Sequence, residues 1–296
     1  MGIGTAAIMA TAGGKSGFAS ATIVLYPNQP AGLTPFAELD FSGLPAAHGN
    51  TGVLQGDWWT QQSAFSPAHI VVASDGTAPQ SPPNVLSMDY AIGTEPGYSG
   101  PPGSGLRLFG GWAIGSTESI GTEYSEFYES TQFKIPTADF ETQMVGVKIL
   151  GYWGVGVNNT GSLAAQMWSL IRGNGSSNIP MSSWNLDLAY LNADSGGVYL
   201  PQNMNTSTKV TAGAWHQFEM YAKLNDMGSA NGIWKWWLDG VLIGDYENLT
   251  FINNSKPSGF FGRHLDGVWG GGGGTAKTRT DYVWFDHMYL SGVFLR

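Results

Sequence analysis

Two stretches of the chain place side chains that can hydrogen-bond or stack at every second position. In the first stretch the alternating members are Tyr124, Glu126, Tyr128, Ser130, Gln132 and Lys134. In the second they are Gln217, Glu219, Tyr221, Lys223, Lys235 and Trp237. A period of two puts alternate residues of a strand on one face. Aromatic rings give a pyranose a flat apolar surface, and amide and acid groups bond its hydroxyls. The pattern predicts that these residues form a glycan-binding face.

A second interpretation fits the same residues. An antiparallel sheet commonly exposes one polar face to water without binding a ligand, so a solvated convex face has the same pattern. Trp58-Trp59, Trp153 and Trp269 are further aromatic candidates, because Gly or polar loop residues flank them. Packing is the favoured interpretation for each of these tryptophans, since large aromatic side chains most often serve the core.

Two kinds of enzyme chemistry are conceivable with these residue types. A lyase acting on a uronic-acid polymer needs a group that neutralises the substrate carboxylate, together with a base and an acid. The residues available for those roles are Tyr128, Tyr221, Gln132, Lys134 and Arg172. A retaining glycosidase needs two neighbouring carboxylates on one face. The spacing of Glu123, Glu126 and Glu129 places neighbours on opposite strand faces, which makes hydrolysis the least supported reaction.

The elements that position these residues are predicted from the same alternation. In the hairpin that begins at Trp215, the apolar face holds His216, Phe218, Met220, Ala222, Leu224, Trp234, Trp236 and Leu238. Asp239-Gly240 predicts the tight turn of this hairpin, because both residues accept positive φ angles. The return strand is predicted from Val241 to Tyr246. His216 is interpreted as a structural histidine, and so is His287, on the face of Val283 and Phe285.

The rest of the chain predicts one all-β domain with few, short helices. It has 296 residues, 43 Gly and 15 Pro, and no long stretch shows helical periodicity. Strands are predicted at Phe36 to Phe41, His69 to Ala73, Leu106 to Phe109, Tyr124 to Ile135, Met144 to Leu150, Gln166 to Arg172, Leu186 to Leu191 and Tyr282 to Leu290. Long surface loops are predicted from Pro79 to Pro102. Residues 1–30 are interpreted as an N-terminal arm or edge segment, and residues 31–296 as the domain.

Several segments resemble the concanavalin A-like lectin/glucanase superfamily, particularly its polysaccharide-lyase-like jelly rolls. The segments are FAELDF, YSEFYESTQFKI, VGVKIL, AWHQFEMYAKLN, WKWWLDGVLI and DYVWFDHMYLSG. The resemblance implies a two-sheet antiparallel jelly-roll sandwich whose concave face receives a glycan. Relatives include lyases, glycosidases, sugar-binding modules and virus-particle proteins. The similar alginate lyases carry an Arg-containing strand motif with an acidic residue, a Gln-x-His motif and a Tyr-x-Lys segment. YSEFYES has no Arg, QMVGVKIL has no His, and the later strands are expected to lack the Tyr-x-Lys segment.

Composition excludes several other classes. The net charge of −9 and only 13 Lys and Arg argue against a nucleic-acid partner. The chain has no cysteine and therefore no disulfide or zinc–thiolate site. The five histidines lack metal-ligand spacing, no cofactor is expected, and calcium lacks a supporting motif. We identify no signal peptide and no apolar stretch long enough to span a membrane.

The sequence thus favours a noncatalytic module that binds a polysaccharide or other glycan, or that serves as a structural surface protein. A virion decoration or attachment protein fits this description, with the Gly- and Ala-rich arm lying against a neighbouring subunit. The alternative is a polysaccharide lyase that cleaves a uronic-acid polymer by β-elimination.

Overall fold

The computed structural model describes residues 3–12, 15–24, 26–39, 47–48, 60–61, 70–97, 123–143, 146–157, 163–172, 178–192, 196–252, 258–264, 267–270 and 274–295. Within these ranges the only helical element is a single 3₁₀ turn, Met181–Ser183. The prediction of an all-β chain with few, short helices is confirmed. None of the described helical residues forms a helix long and apolar enough to cross a membrane.

Strands make up nearly all of the regular structure. In chain order they are β1 (Ile3–Ala12), β2 (Lys15–Val24), β3 (Thr34–Leu39), β4 (Ala47–His48), β5 (Thr60–Gln61), β6 (Ile70–Ser74), β7 (Asn84–Tyr90), β8 (Tyr124–Lys134), β9 (Val147–Val157), β10 (Leu163–Arg172), β11 (Asn185–Asn192), β12 (Gly196–Leu200), β13 (Trp215–Lys223), β14 (Gly232–Leu238), β15 (Val241–Leu249), β16 (Ser258–His264) and β17 (Asp281–Phe294). β1 pairs with β2 in a sheet of their own, and β4 pairs with β5.

The remaining strands form two antiparallel layers that share one strand contact. The front sheet has the order β15-β14-β13-β8-β17, and the far edge of β17 pairs with β3 and β7, which in turn pairs with β6. The back sheet has the order β12-β11-β10-β9-β16. Among the described residues, strand pairing between the two sheets occurs at Phe260 on β16 and Tyr124 on β8.

Aromatic side chains fill the space between the two sheets. The ring of Trp153 in the back sheet lies 6.5 Å from that of Trp234 in the front sheet. The indole nitrogen of Trp236 donates across the interface to the carbonyl of Leu186 at 2.9 Å. Contacts of this kind between facing sheets define a sandwich, which confirms the predicted two-sheet jelly roll.

The hairpin of β13 and β14 follows its predicted pattern. The residues predicted for its core are all buried: His216, Phe218, Met220, Ala222, Leu224, Trp234, Trp236 and Leu238. Asp239 and Gly240 have φ angles of 51° and 76°, the left-handed values that a two-residue turn with strand-like twist requires. Trp153 and Trp269 are also buried, so packing is confirmed for both. Trp58-Trp59 and Leu106 to Phe109 lie outside the described residues.

One loop prediction is wrong. Within the segment from Pro79 to Pro102, residues Asn84–Tyr90 form strand β7. The Pro, Gly and Ser content around this stretch suggested a loop, but Leu86 and Met88 are buried. β7 pairs with β6 on one edge and with β17 on the other, and this non-local pairing overrides the local composition.

A buried ion pair joins the two sheets inside the core. Both oxygens of the Glu129 carboxylate accept from the Arg263 guanidinium, at 2.7 and 2.8 Å. Trp153 and Thr131 donate to the same carboxylate at 2.6 Å each. Glu129 and Arg263 have no exposed side-chain surface. Glu129 therefore serves the core, which removes it from any pair of glycosidase carboxylates.

Removing one member of this pair is expected to destabilise the fold strongly. Arg263→Ala leaves a buried carboxylate without its counter-charge, a change that typically costs about 3–5 kcal/mol. Arg279→Ala is the matched control. Arg279 is more exposed than Arg263 and pairs with Asp139 and with Asp281, and Asp281 keeps its pair with Lys277 in the variant. Exposed pairs contribute less than about 1 kcal/mol. Urea denaturation measures both. Equal losses for the two variants would contradict the assigned role of Arg263.

His216 is a structural histidine, as predicted. Its Nδ1 lies 2.7 Å from the Asp239 carboxylate, and its Nε2 lies 3.0 Å from the Thr211 carbonyl. Burial lowers the pKa of His216, but the hydrogen bond and charge of Asp239 outweigh that effect and raise the pKa above its usual value. Protonated His216 therefore stabilises the folded state.

The stability contributed by this pair is expected to depend on pH. A raised folded-state pKa gives a contribution that is complete below the unfolded value of about 6.5 and is lost as pH rises through the folded value. Asp239→Asn keeps a residue that accepts positive φ and removes the charge. The free energy of unfolding should fall by about 1 kcal/mol more at pH 5.5 than at pH 8.5, measured by urea titration. A pH-independent loss would refute the ion-pair assignment.

Candidate functional site

The outer face of the front sheet gathers the predicted sugar-binding residues. Along β8 and β13 the directly opposed pairs are Gln132 with Gln217, Ser130 with Glu219, Tyr128 with Tyr221 and Glu126 with Lys223. Along β13 and β14 they are Glu219 with Trp237 and Tyr221 with Lys235. The alternate residues of these strands pack against the back sheet, so the opposed pairs lie on the outer face. Lys134 extends this face at the end of β8, opposite Trp215.

Tyr124 does not belong to this face, and its predicted placement is wrong. The register between β8 and β17 shifts where Val293 pairs with Glu126 and Phe294 with Tyr124. This irregularity resets the alternation of side chains. The Tyr124 ring is buried in the main core and stacks on Phe36 at 4.2 Å.

One row of residues crosses the outer face at right angles to the strands. Tyr289 on β17 is opposite Ser130 on β8, Ser130 is opposite Glu219 on β13, and Glu219 is opposite Trp237 on β14. We call these four residues the central row. Because neighbouring strands lie about 4.8 Å apart, the row spans about 14 Å. Each end of the row carries an aromatic ring.

Part of the central row is covered by residues 26–33, which we call the strap. The Tyr26 ring stacks on the Tyr289 ring with centroids 3.8 Å apart. The Asn28 side-chain amide donates to Glu219 Oε2 at 2.8 Å, and the Tyr289 hydroxyl donates to Gln29 Oε1 at 3.2 Å. Tyr26, Leu33, Tyr128 and Tyr289 form a buried cluster. The strap therefore covers the row from β17 to β13.

Beneath the strap, Tyr128 and Glu219 form a buried hydrogen-bonded pair. The Tyr128 hydroxyl donates to Glu219 Oε1, and both residues are fully buried. Burial, followed by the Glu219 charge, raises the pKa of Tyr128 far above its usual value. Burial also raises the pKa of Glu219, although the bonds from Tyr128 and Asn28 act in the opposite direction. Tyr128 is thus held protonated, which opposes a role as a general base.

Every lysine in the described part of this face is paired with a carboxylate. Lys134 lies 2.8 Å from Asp75, Lys223 lies 3.0 Å from Glu126, and Lys235 lies 3.1 Å from Asp245 and 2.9 Å from Glu247. The bonds from Lys134 and Thr77 lower the pKa of Asp75 to about 2, although burial opposes this. The cations of the face are therefore already neutralised.

Beyond the strap, four half-buried residues of β13 and β14 stay accessible. We call Gln217, Tyr221, Lys235 and Trp237 the open patch. The Tyr221 hydroxyl donates to Glu126 at 2.6 Å, and the Gln217 amide donates to Ser130 at 2.9 Å. Burial, followed by the bond to Glu126, raises the pKa of Tyr221. The open patch combines two aromatic rings, an amide and an ammonium group.

Residues that the sequence did not assign to the site also lie on this face. His287 was predicted to be a structural histidine on the face of Val283 and Phe285. It is buried, but the register of β17 shifts between Phe285 and Met288. His287 Nε2 lies 3.0 Å from the Tyr26 hydroxyl and 3.1 Å from Glu38. Neither this shift nor the long-range contacts of the strap has a local sequence signal.

Of the residues available for lyase chemistry, all but Arg172 lie on the outer face of the front sheet. Arg172 lies on the back sheet, with its guanidinium 3.9 Å from the centre of the Tyr199 ring. Tyr128, Gln132 and Lys134 lie on the front sheet, so Arg172 is separated from them by the core. Among the described residues, no group of three or more His, Asp or Glu side chains is arranged to hold a metal ion.

Comparison with known proteins gives likeness at the level of structure. No family model matches the chain, and no curated protein matches its sequence. A mutant of the alginate lyase Aly36B in complex with an alginate tetrasaccharide has a TM-score of 0.56 and 13% identity, over 88% of this chain and 98% of that chain. An alginate lyase from a Chlorella virus has a TM-score of 0.53 and 12% identity, over 75% of this chain and 88% of that chain. The chain therefore shares the jelly-roll sandwich fold of these two structures.

The prediction that the later strands lack a Tyr-x-Lys segment is wrong. Tyr221, Ala222 and Lys223 on β13 form such a segment. Both polar members bind the same carboxylate, that of Glu126, at 2.6 and 3.0 Å. At identities of 12% and 13%, similarity to these structures shows the fold alone. The activity of this chain has to be inferred from the chemistry of the outer face.

The bond between Tyr128 and Glu219 is expected to stabilise the front sheet measurably. Tyr128→Phe removes a donor from a buried carboxylate and should lower the free energy of unfolding by about 1.5–3 kcal/mol. Tyr221→Phe is the matched control, because its bond to Glu126 is only half-buried and should contribute less than about 1 kcal/mol. Urea denaturation of both variants tests this order, and a larger loss for Tyr221→Phe would contradict it.

Proposed function

We propose that this chain is a noncatalytic module that binds a neutral glycan on the outer face of the front sheet. The observation that carries the proposal is that each lysine of the face is paired with a carboxylate. Lys134 pairs with Asp75, Lys223 with Glu126 and Lys235 with Asp245. A uronate carboxylate would have to break one of these pairs, or approach Glu126 and Glu219 without a counter-charge. Either event costs free energy that hydrogen bonds to sugar hydroxyls do not incur.

Neutral pyranoses suit the remaining groups. Trp237 and Tyr221 offer half-exposed rings for stacking, the Gln217 amide both donates and accepts, and carboxylates accept from sugar hydroxyls. A pocket or groove that combines aromatic rings with a few polar groups is typical of such sites. Attachment of a particle or a cell-surface protein to a polysaccharide requires no more than this binding, so the virion role stays a prediction.

A polysaccharide lyase is the second candidate function. It is favoured by the Tyr-x-Lys segment and by the Tyr26 hydroxyl, which lies 3.0 Å from His287 Nε2, because Tyr and His are the usual acid and base of β-elimination. The raised pKa values of Tyr26, Tyr128 and Tyr221, each caused first by burial, oppose proton abstraction by these tyrosines. The pairing of the lysines also removes the cation that would stabilise the substrate carboxylate.

Loss of the half-exposed Trp237 indole is expected to weaken binding. Trp237→Ala should reduce the affinity for cellohexaose, a neutral β-glucan, by about tenfold, because one stacked ring contributes about 1–1.5 kcal/mol. Trp168→Ala on the back sheet is the matched control and should leave the affinity unchanged. Isothermal titration calorimetry measures both variants. An equal loss in the two variants would contradict binding on the front sheet.

Alginate, a uronic-acid polymer, tests whether the face prefers a neutral ligand and whether the chain catalyses β-elimination. We expect an alginate hexamer to bind at least tenfold more weakly than cellohexaose, since each neutralised lysine leaves the uronate without a partner. Ultraviolet absorbance follows the unsaturated uronic acid that β-elimination forms. New absorbance with the wild-type protein that is lost in Tyr221→Phe would overturn the noncatalytic proposal in favour of the lyase.

A further inference from the structure

The strap reproduces the contacts that a sugar would make with the central row. A ring, that of Tyr26, stacks on Tyr289 at 3.8 Å, where the apolar face of a pyranose would stack. A neutral donor, the Asn28 amide, bonds Glu219 at 2.8 Å, where a sugar hydroxyl would donate. The strap follows the row from β17 to β13, and Trp237 is the next member of the row.

Side chains hold the strap in place. Among the described residues, no backbone–backbone hydrogen bond joins residues 26–33 to a strand of the sheet, and the strap's own backbone bond runs from Gln29 to Tyr26. Pro27 and Ala31 are exposed. Gly32 has a φ of 90°, a left-handed value at the point where the chain turns towards β3. Release of the strap therefore leaves the strand ladders of the front sheet intact.

We propose that the strap is an intramolecular occupant of the glycan site, and that a glycan chain displaces it to lie along the whole central row. This inference rests on the proposed function. The ligand is a neutral oligosaccharide long enough to reach from Trp237 to Tyr289, about 14 Å across three strand spacings. A disaccharide fits the open patch and leaves the strap in place. The affinity for long chains is reduced by the fraction of molecules in which the strap is released.

Weakening the strap is expected to strengthen binding of long chains selectively. Asn28→Ala removes the side-chain bond to Glu219 and keeps the longer bond from the Asn28 backbone N–H, at 3.4 Å. The variant should raise the released fraction and tighten cellohexaose binding by about three- to tenfold, while cellobiose binding stays unchanged. Asn231→Ala is the matched control, because Asn231 donates to the Asp226 carboxylate at 2.7 Å in the β13–β14 loop. That control should change neither affinity. Isothermal titration calorimetry compares each of the two variants with the wild-type protein, once with cellohexaose and once with cellobiose.

Release of the strap is measured directly with a spin label. The chain has no cysteine, so Ala31→Cys creates a single labelling position on the exposed side of the strap. Electron paramagnetic resonance should show increased label mobility when cellohexaose is added, and no change with cellobiose. Asn28→Ala in the labelled protein should increase the mobility without any sugar.

The possible outcomes separate this inference from the proposed function. If cellohexaose binds while the label keeps its mobility, or if Asn28→Ala weakens cellohexaose binding, the strap lines the site and is not displaced. Either result refutes the displacement proposal and leaves the proposed function standing. If neither the wild-type protein nor Asn28→Ala binds cellohexaose although the label becomes mobile in the variant, both proposals fail. Tighter binding together with a more mobile label supports both.

Discussion

The strand β8 is the element on which both the core and the outer face depend. It is hydrogen-bonded along its length to β13 and β17, and at its start to β16 of the other sheet. Phe127, Glu129 and Phe133 point inward, and the Glu129–Arg263 pair ties this inward side to the back sheet. Tyr128 and Ser130 lie on the outward side. The buried ion pair thus fixes the strand that orients the outer residues.

The parts of this structure that obey a strict local period could be predicted from the sequence. The hairpin of β13 and β14 alternates without interruption, and its turn chemistry at Asp239-Gly240 is unambiguous, so both its core and its outer residues were predicted. Tyr124 and His287 were misplaced for the opposite reason. Each adjoins a register shift in β8 or β17, and one inserted residue reverses the faces of all residues beyond it.

The strap is the part that no local pattern indicated. Tyr26 and Tyr289 stack across most of the length of the chain, and Asn28 reaches Glu219 on a strand in the middle of the sheet. Such contacts depend on the completed tertiary structure. The pairing of the lysines has the same origin, because Asp75 lies in a loop remote from Lys134 in sequence. Composition indicated a polar face, whereas only the fold determines which of its charges are already satisfied.

Because lysines and carboxylates of the outer face neutralise each other, ligand binding there should depend little on salt concentration. Free charges attract an ionic ligand over about 10 Å at 0.1 M salt, and this attraction weakens as salt rises. Lys223 and Lys235 instead lie within 3.1 Å of their carboxylates, a separation much shorter than the screening length. Stacking and hydrogen bonding to an uncharged ligand depend little on ionic strength. The affinity of such a face for its ligand is nearly the same at low and at high salt concentration.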